Sequence, residues 1–178
     1  MNLNKELYKG AEYGKVEIVR NILSLDGVDV NWANKSGETS LWISADNNHI
    51  QVVNLLLQNG ADVNRSNNAG ETPLFRTSTR GYAEIVDLLL QNGANVNQTN
   101  NIGQTPIYMA SANGNLEVVK LLLKYRANVN LATLGGSTPL SVAVNNDHMT
   151  IAELLVKGGK RRRKSKKRKS KKIKSIKK

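Results

Sequence analysis

The sequence of 178 residues contains no cysteine, only two histidines and no long apolar run. Without cysteine the chain can form neither disulfides nor thiolate metal sites, a composition that suits an intracellular protein. No apolar run approaches the roughly 20 residues that a helix needs to span a bilayer. The N-terminal residues Met1–Glu6 lack the apolar segment of a signal peptide. We therefore expect no membrane span.

Catalytic signatures are equally scarce. The glycines never cluster into a phosphate-binding loop. Asp46 lies near His49 in sequence, but no known pattern places a serine or cysteine nucleophile with His49 or His148. Two histidines without cysteine or a carboxylate cluster make a poor metal site. The sequence therefore predicts no enzyme, no metal site and no cofactor.

A period of 33 residues is the main feature that the sequence does contain. Variants of one pentapeptide, Gly-Glu-Thr-Pro-Leu, occur at Gly37–Leu41, Gly70–Leu74, Gly103–Ile107 and Gly136–Leu140. A Val-Asn pair keeps the same step at Val30, Val63, Val96 and Val129, and a leucine triplet begins at Leu55, Leu88 and Leu121. A period between 20 and 50 residues is the signature of a repeat array.

The chemistry of one unit predicts a pair of helices. Glycine suits a tight turn, threonine caps a helix, and proline fits the first helical position. In the third unit we expect a first helix from Pro73 to about Arg80, a break at Gly81, and a second helix with apolar residues at helical spacing. Gly93 then ends the second helix in a left-handed conformation, as Gly60 does one unit earlier.

These motifs resemble the ankyrin repeat, a turn or hairpin followed by two antiparallel helices, and the resemblance covers residues 2–159. It implies an all-α solenoid of five stacked helix-turn-helix units joined by β-hairpin-like loops. The predicted domain, 1–159, divides into units at about 2–33, 34–66, 67–99, 100–132 and 133–159. The first unit lacks the Gly-Thr-Pro opening, as an end unit with a polar face would.

Departures from the family signature carry further predictions. The usual histidine after Thr-Pro-Leu is Trp42, Phe75, Tyr108 or Ser141 here. We expect aromatic packing to replace its polar contact in three units, although the aromatic series also allows base stacking. His49 and His148 fall at the family's Gly-His position and are predicted to fix the turn between helices. Arg126 stands where the end of the second helix would prefer glycine.

By the same resemblance, turn tips and first helices line a concave face that binds a partner. It implies a monomeric, non-catalytic adaptor for another protein or peptide; the alternative is that these side chains are merely solvated. The face is mixed and rich in amides, which suits hydrogen bonding around apolar points such as Ile102 and Leu134. The exposure of Trp32, on a connector, is less certain. The predicted contact residues are Trp32, Lys35, Ser36, Glu38, Asp46, Asn47, Asn68, Glu71, Thr79, Arg80, Asn101, Ile102, Gln104, Asn113, Leu134 and Asn146.

The last 19 residues, 160–178, have a different composition. They hold 14 of the 26 lysines and arginines and no acid, so residues 1–159 carry 12 basic side chains against 14 acidic ones, a formal net charge of −2. Such a block is predicted to be disordered when unbound. Its basic runs consist of Lys160, Arg161, Arg162, Arg163 and Lys164, then Lys166, Lys167, Arg168 and Lys169.

Three hypotheses compete for this tail. The basic runs resemble nuclear-localisation signals, which would bring a nuclear import receptor as partner and place the protein in the nucleus or nucleolus rather than the cytoplasm. Alternatively, the tail binds nucleic acid through its phosphates, without sequence specificity. The third hypothesis is a solubilising segment or one that binds an anionic surface. Heavy use of Asn and Lys also leaves open an effector or viral protein that acts on a host.

Overall fold

The computed structural model describes residues 2–158, which form short helices arranged in consecutive pairs. The helices are α1 (Leu3–Glu12), α2 (Val16–Leu23), α3 (Ser40–Asp46), α4 (Ile50–Gln58), α5 (Pro73–Arg80), α6 (Ala83–Gln91), α7 (Pro106–Ala112), α8 (Leu116–Lys124) and α9 (Pro139–Asn145). A tenth helix, α10, is described over 149–158. The predicted all-α class and the five helix pairs are therefore confirmed.

The first helix of units 2 to 5 begins immediately after a threonine, as predicted. The hydroxyl of Thr39, Thr72, Thr105 or Thr138 accepts the backbone N–H three residues further on, at 3.1 to 3.2 Å. Each bond satisfies one of the donors that a helix N-terminus leaves unpaired. Proline follows the threonine in three of the four units, and Ser40 takes its place in α3.

The second helices of units 2, 3 and 4 end on a residue with positive φ. Gly60 and Gly93 follow α4 and α6 with φ of +81° and +85°, which confirms the predicted left-handed ends. Arg126 adopts the same conformation after α8, with φ of +65°. Because a side chain at positive φ is strained, Arg126 retains the geometry of the family's glycine at a cost in stability.

The core repeats with the sequence period. Val52, Ile85, Val118 and Ile151 stand at one position of the second helix and are at most 2% exposed. Ile18 occupies that position in the first unit, where no earlier unit of the structure covers it, and is 50% exposed. Each buried side chain of this size contributes about 1.5 to 3 kcal/mol. Stacking of one unit on the next therefore creates a core that a single unit lacks.

The connectors between units are hairpin-like and are joined to each other. Each turn closes with a backbone hydrogen bond, for example from Asn34 N–H to Glu38 O at 3.0 Å. The tips of successive turns are linked by backbone bonds from Asn68 N–H to Ser36 O (2.9 Å), from Asn101 N–H to Ala69 O (3.1 Å) and from Leu134 N–H to Ile102 O (3.1 Å). These links form a continuous row of tips across units 2 to 5.

The asparagines of the Val-Asn pairs tie the connector arms together at the opposite side of the loops. The Oδ1 atoms of Asn31, Asn64 and Asn97 each accept a backbone N–H from the next unit at 2.7 Å. Successive first helices pack more closely than successive second helices. The array therefore curves, with the first helices on its concave side.

Two sequence predictions concern the membrane and the tail. No helix within residues 2–158 is long and apolar enough to cross a membrane. The predicted disorder of residues 160–178 and the roles assigned to the basic runs lie outside the described residues.

Candidate protein-binding face

The concave face is built from six positions that recur in each of units 2 to 5: two tip residues, the residue after the tip glycine, and three positions of the first helix. In units 2 and 3 these are Lys35, Ser36, Glu38, Ile43, Asp46, Asn47, Asn68, Ala69, Glu71, Arg76, Thr79 and Arg80, which we call the charged half. In units 4 and 5 they are Asn101, Ile102, Gln104, Met109, Ala112, Asn113, Leu134, Gly135, Ser137, Val142, Asn145 and Asn146, the neutral half.

The predicted contact residues differ in their accessibility on this face. Exposed are Lys35, Ser36, Asn47, Asn68, Arg80, Asn101, Ile102, Asn113, Leu134 and Asn146; Trp32, Glu38, Asp46, Glu71, Thr79 and Gln104 are half-buried. Trp32, the aromatic of uncertain exposure, lies edge-on against Tyr8 with ring centroids 6.2 Å apart. Part of its surface therefore packs against the first unit.

An ion-pair cluster joins units 2 and 3. Asp46 Oδ1 accepts from Arg76 Nε at 3.0 Å and from Arg80 Nε at 3.1 Å, and Arg80 Nη2 lies 3.3 Å from Asp46 Oδ2. The side chain of Asp46 is only 11% exposed. Arg76 also reaches Glu71, with Nη1 to Oε2 at 3.9 Å, and its guanidinium lies 5.4 Å from the centroid of the Trp42 ring. The carboxylate is therefore shared by two arginines of the next unit.

The cluster shifts the pKa values of its members. Burial alone would raise the pKa of Asp46, but hydrogen bonds from Arg80 and Arg76 outweigh it and hold that pKa below its ordinary value. The hydrogen bond to Asp46 raises the pKa of Arg80. Both charges are thus favoured in the folded protein.

A second polar cluster joins units 1 and 2. Glu38 Oε2 accepts from the Tyr8 hydroxyl at 3.0 Å and from Asn34 Nδ2 at 2.8 Å. Burial, followed by the charge of Glu38, raises the pKa of Tyr8 well above its usual value. The Oδ1 atom of Asn34 meanwhile accepts the backbone N–H groups of Ser36 and Glu38 at 2.9 and 3.0 Å. Glu38 therefore stabilises both its own turn and the contact with the first unit.

Some of the predicted amide contacts are used within the fold. Asn68 Nδ2 donates to Lys35 O at 3.0 Å, and Asn101 Nδ2 donates to Asn68 O at 2.9 Å, so these two side chains stitch neighbouring tips. Asn47 and Asn146 likewise donate to Glu12 O and Ala112 O of the preceding unit, at 3.0 and 2.8 Å. Leu134 occupies the same tip position as Asn68 and Asn101 but has no amide to donate.

The expectation that aromatic packing replaces a polar contact is wrong for Trp42. Its ring is buried, yet Nε1–H donates to Glu71 O of the next unit at 2.9 Å. A buried indole N–H needs an acceptor, and the next turn supplies one. The Tyr108 hydroxyl similarly reaches Ser137 Oγ at 3.4 Å, whereas Phe75 is buried by packing alone. All three aromatics therefore belong to the fold rather than to a stacking surface.

The two histidines have the structural role that was predicted, although each contacts the turn of the preceding unit. His49 Nε2 lies 3.0 Å from Glu12 O, and His148 Nε2 lies 3.2 Å from Ala112 O. Asn115, at the same repeat position, donates to Ser78 O and Thr79 O at 2.9 and 3.0 Å. No group of three potential metal ligands occurs in the part of the chain that the structure describes.

Sequence reasoning missed three side chains of the face: Arg76, Met109 and Val142. All three, with Ile43, stand directly after the residue that replaces the family histidine. Arg76 is also four residues before Arg80, which places both on one side of α5. Aligning the units at the period of 33 residues would have identified this position as part of the concave face.

The paired helices, threonine caps and linked tips define an α-helical repeat protein. A family model described as "Ankyrin repeats (3 copies)" matches residues 7–100 and 77–165. These matches cover most of the chain, which therefore belongs to the ankyrin-repeat family. No curated protein matches the chain. Ankyrin repeats are in general protein–protein interaction modules, and the proteins that they form are typically non-enzymatic.

Proposed function

We propose that this chain is a non-catalytic adaptor that binds another protein or a peptide on its concave face. The observation that carries the proposal is the row of turn tips. Backbone hydrogen bonds hold the tips in a fixed line, and that line presents two large apolar side chains to solvent, Ile102 and Leu134, which are 56% and 81% exposed. Grouped apolar side chains on a pre-organised surface are typical of protein-binding sites.

A site-specific photo-crosslinker tests this function even though the identity of the partner is unknown. We would place p-benzoylphenylalanine at Asn113, which is exposed on the concave side at the end of α7, and at Asn54, which is exposed on the second helix α4, as the control. Irradiation of native cells should give discrete adducts of higher mass from Asn113 and not from Asn54. Adducts from Asn54 alone, or from neither position, would contradict the proposal.

For the tail, residues 160–178, we propose nuclear targeting, because its 14 basic side chains are separated in sequence from a repeat domain of net charge −2. A short basic run suffices for recognition by an import receptor. Replacement of Arg161, Arg162 and Arg163 by alanine should move a fluorescent fusion from the nucleus to the cytoplasm. An unchanged distribution would count against this role.

The charge of the tail equally supports a second candidate, association with nucleic acid. If six or more phosphates are engaged, affinity for a labelled DNA duplex should fall by about a thousand-fold or more between about 50 and about 200 mM salt. The same triple-alanine variant should bind more weakly and with a shallower salt dependence. Binding that is insensitive to salt would exclude this candidate.

A further inference from the structure

The charged and neutral halves of the concave face differ in which side chains are free to bind a partner. The charged half contains Lys35, Glu38, Asp46, Glu71, Arg76 and Arg80, whereas none of the twelve positions of the neutral half is charged. Within residues 2–158, five of those six charged groups already contact one another or a neighbouring polar side chain. A partner that used these groups would have to displace internal bonds.

Leu134 departs from the rule that the other tips follow. At the same position, Asn68 and Asn101 each donate an amide N–H to the carbonyl of the preceding tip. Leucine at 134 forgoes this bond to Asn101 O and exposes 81% of its surface. Such a residue lowers the stability of the fold and the solubility of its surface. A local rule that is broken without a structural gain indicates a functional position.

Other members of the neutral half surround Leu134 with suitable chemistry. Its backbone N–H is bonded to Ile102 O at 3.1 Å, so the two apolar tips are adjacent. Asn113 and Asn146 use their amide N–H groups on helix carbonyls, at 2.9 and 2.8 Å. Their amide oxygens have no partner in the described structure and can accept backbone N–H groups.

We propose that the neutral half is the docking site and that its occupant is an uncharged segment of another protein, with an apolar side chain seated on the Ile102–Leu134 pair. This inference rests on the proposed adaptor function and specifies the chemistry of the partner. Charge complementarity selects an uncharged occupant, because a charge buried against these twelve positions would find no opposite charge. The amide oxygens then satisfy the backbone of the segment.

The decisive variant is Leu134→Asn, because stability and binding should respond to it in opposite directions. The new amide can donate to Asn101 O as Asn101 does to Asn68 O, so the midpoint of urea unfolding should stay equal or rise. Lys35→Asn is the matched control: it places the same residue at the same repeat position, 99 residues earlier, in the charged half. This control should change neither stability nor binding.

The probe is a random library of 12-residue peptides displayed on phage and selected on the full chain in about 0.3 M salt, which screens attraction to the basic tail. Enriched sequences should contain apolar side chains without an excess of acidic ones. As labelled synthetic peptides, they should bind Leu134→Asn at least about ten-fold more weakly than the wild type or Lys35→Asn, because an apolar anchor is lost. Failure to enrich any peptide, or enrichment of acidic peptides that bind Leu134→Asn undiminished, overturns the proposal.

Crosslinking separates this inference from the function on which it rests. A photo-crosslinker at Asn145, in the neutral half, should capture the cellular partner more efficiently than one at Asn47, in the charged half. Adducts from Asn47 alone would preserve the adaptor function and overturn the docking site. The absence of adducts from the whole concave face would remove both.

Discussion

The charged half and the neutral half of the concave face share one 33-residue frame but use their surface side chains differently. In the charged half, Asp46 holds two arginines of the next unit, and Glu38 holds a tyrosine of the preceding one. In the neutral half the corresponding positions are Asn145 and Ser137, and Leu134 replaces a stitching asparagine. Charged residues on a binding face can therefore serve the fold, while apolar ones at the same positions remain free for a partner.

The largest expected effect comes from breaking the Asp46 cluster. Asp46→Asn should lower the free energy of unfolding by about 2 kcal/mol, because it removes charge-assisted bonds from Arg76 and Arg80 to a poorly exposed carboxylate. Asn145→Asp, at the same position of unit 5, should change stability by no more than about 0.5 kcal/mol. Urea unfolding of both variants measures the contrast, and an equal loss in both would remove the distinction between the halves.

The Asp46 contribution also has a defined pH dependence. The arginines lower the pKa of Asp46 in the folded state, so its stabilisation is fully present above the unfolded pKa of about 3.9 and is lost as the pH falls through the lower folded pKa. Wild type and Asp46→Asn should thus converge in stability below about pH 4. A difference that persists unchanged at low pH would show that the carboxylate charge is not its source.

A smaller contrast is expected between two tyrosines at the same repeat position. Tyr8→Phe should cost about 1 kcal/mol because it removes a bond to the charged Glu38, whereas Tyr108→Phe loses only a 3.4 Å contact with Ser137 and should cost about 0.5 kcal/mol or less. The Tyr8 pKa is raised on folding, so its contribution is present below about pH 10 and lost as the pH rises through the folded pKa. Unfolding curves at pH 7 and above pH 10 measure both effects.

Elements that depend on local chemistry could be predicted from the sequence. Thr72 and Pro73 mark the start of α5, and Gly81 and Gly93 mark helix ends, because caps and positive φ depend on a few adjacent residues. The stacking of five units followed from the period alone. The positions of the concave face came from the family resemblance, which gives location but not chemical use.

Contacts between units could not be predicted in the same way. Asp46 meets Arg76 and Arg80 across 30 and 34 residues, and an asparagine at a tip looks the same in sequence whether it is solvated or bonded to the previous carbonyl. The hydrogen bond from Trp42 was missed because its acceptor, Glu71 O, lies in the next unit. Each case depends on how one unit is placed on the next, which the repeat period does not specify.

The smallest expected effect concerns the stitching of the tips. Asn101→Ala removes the bond from Nδ2 to Asn68 O at 2.9 Å and should lower the free energy of unfolding by about 0.5 kcal/mol, since the bond is exposed to competing water. Leu134→Ala, one unit later, removes no such bond and should be neutral to within the error of urea unfolding. If Leu134→Ala were the more destabilising, Leu134 would be contributing to the fold by packing. Its exposure would then not mark a site kept free for a partner.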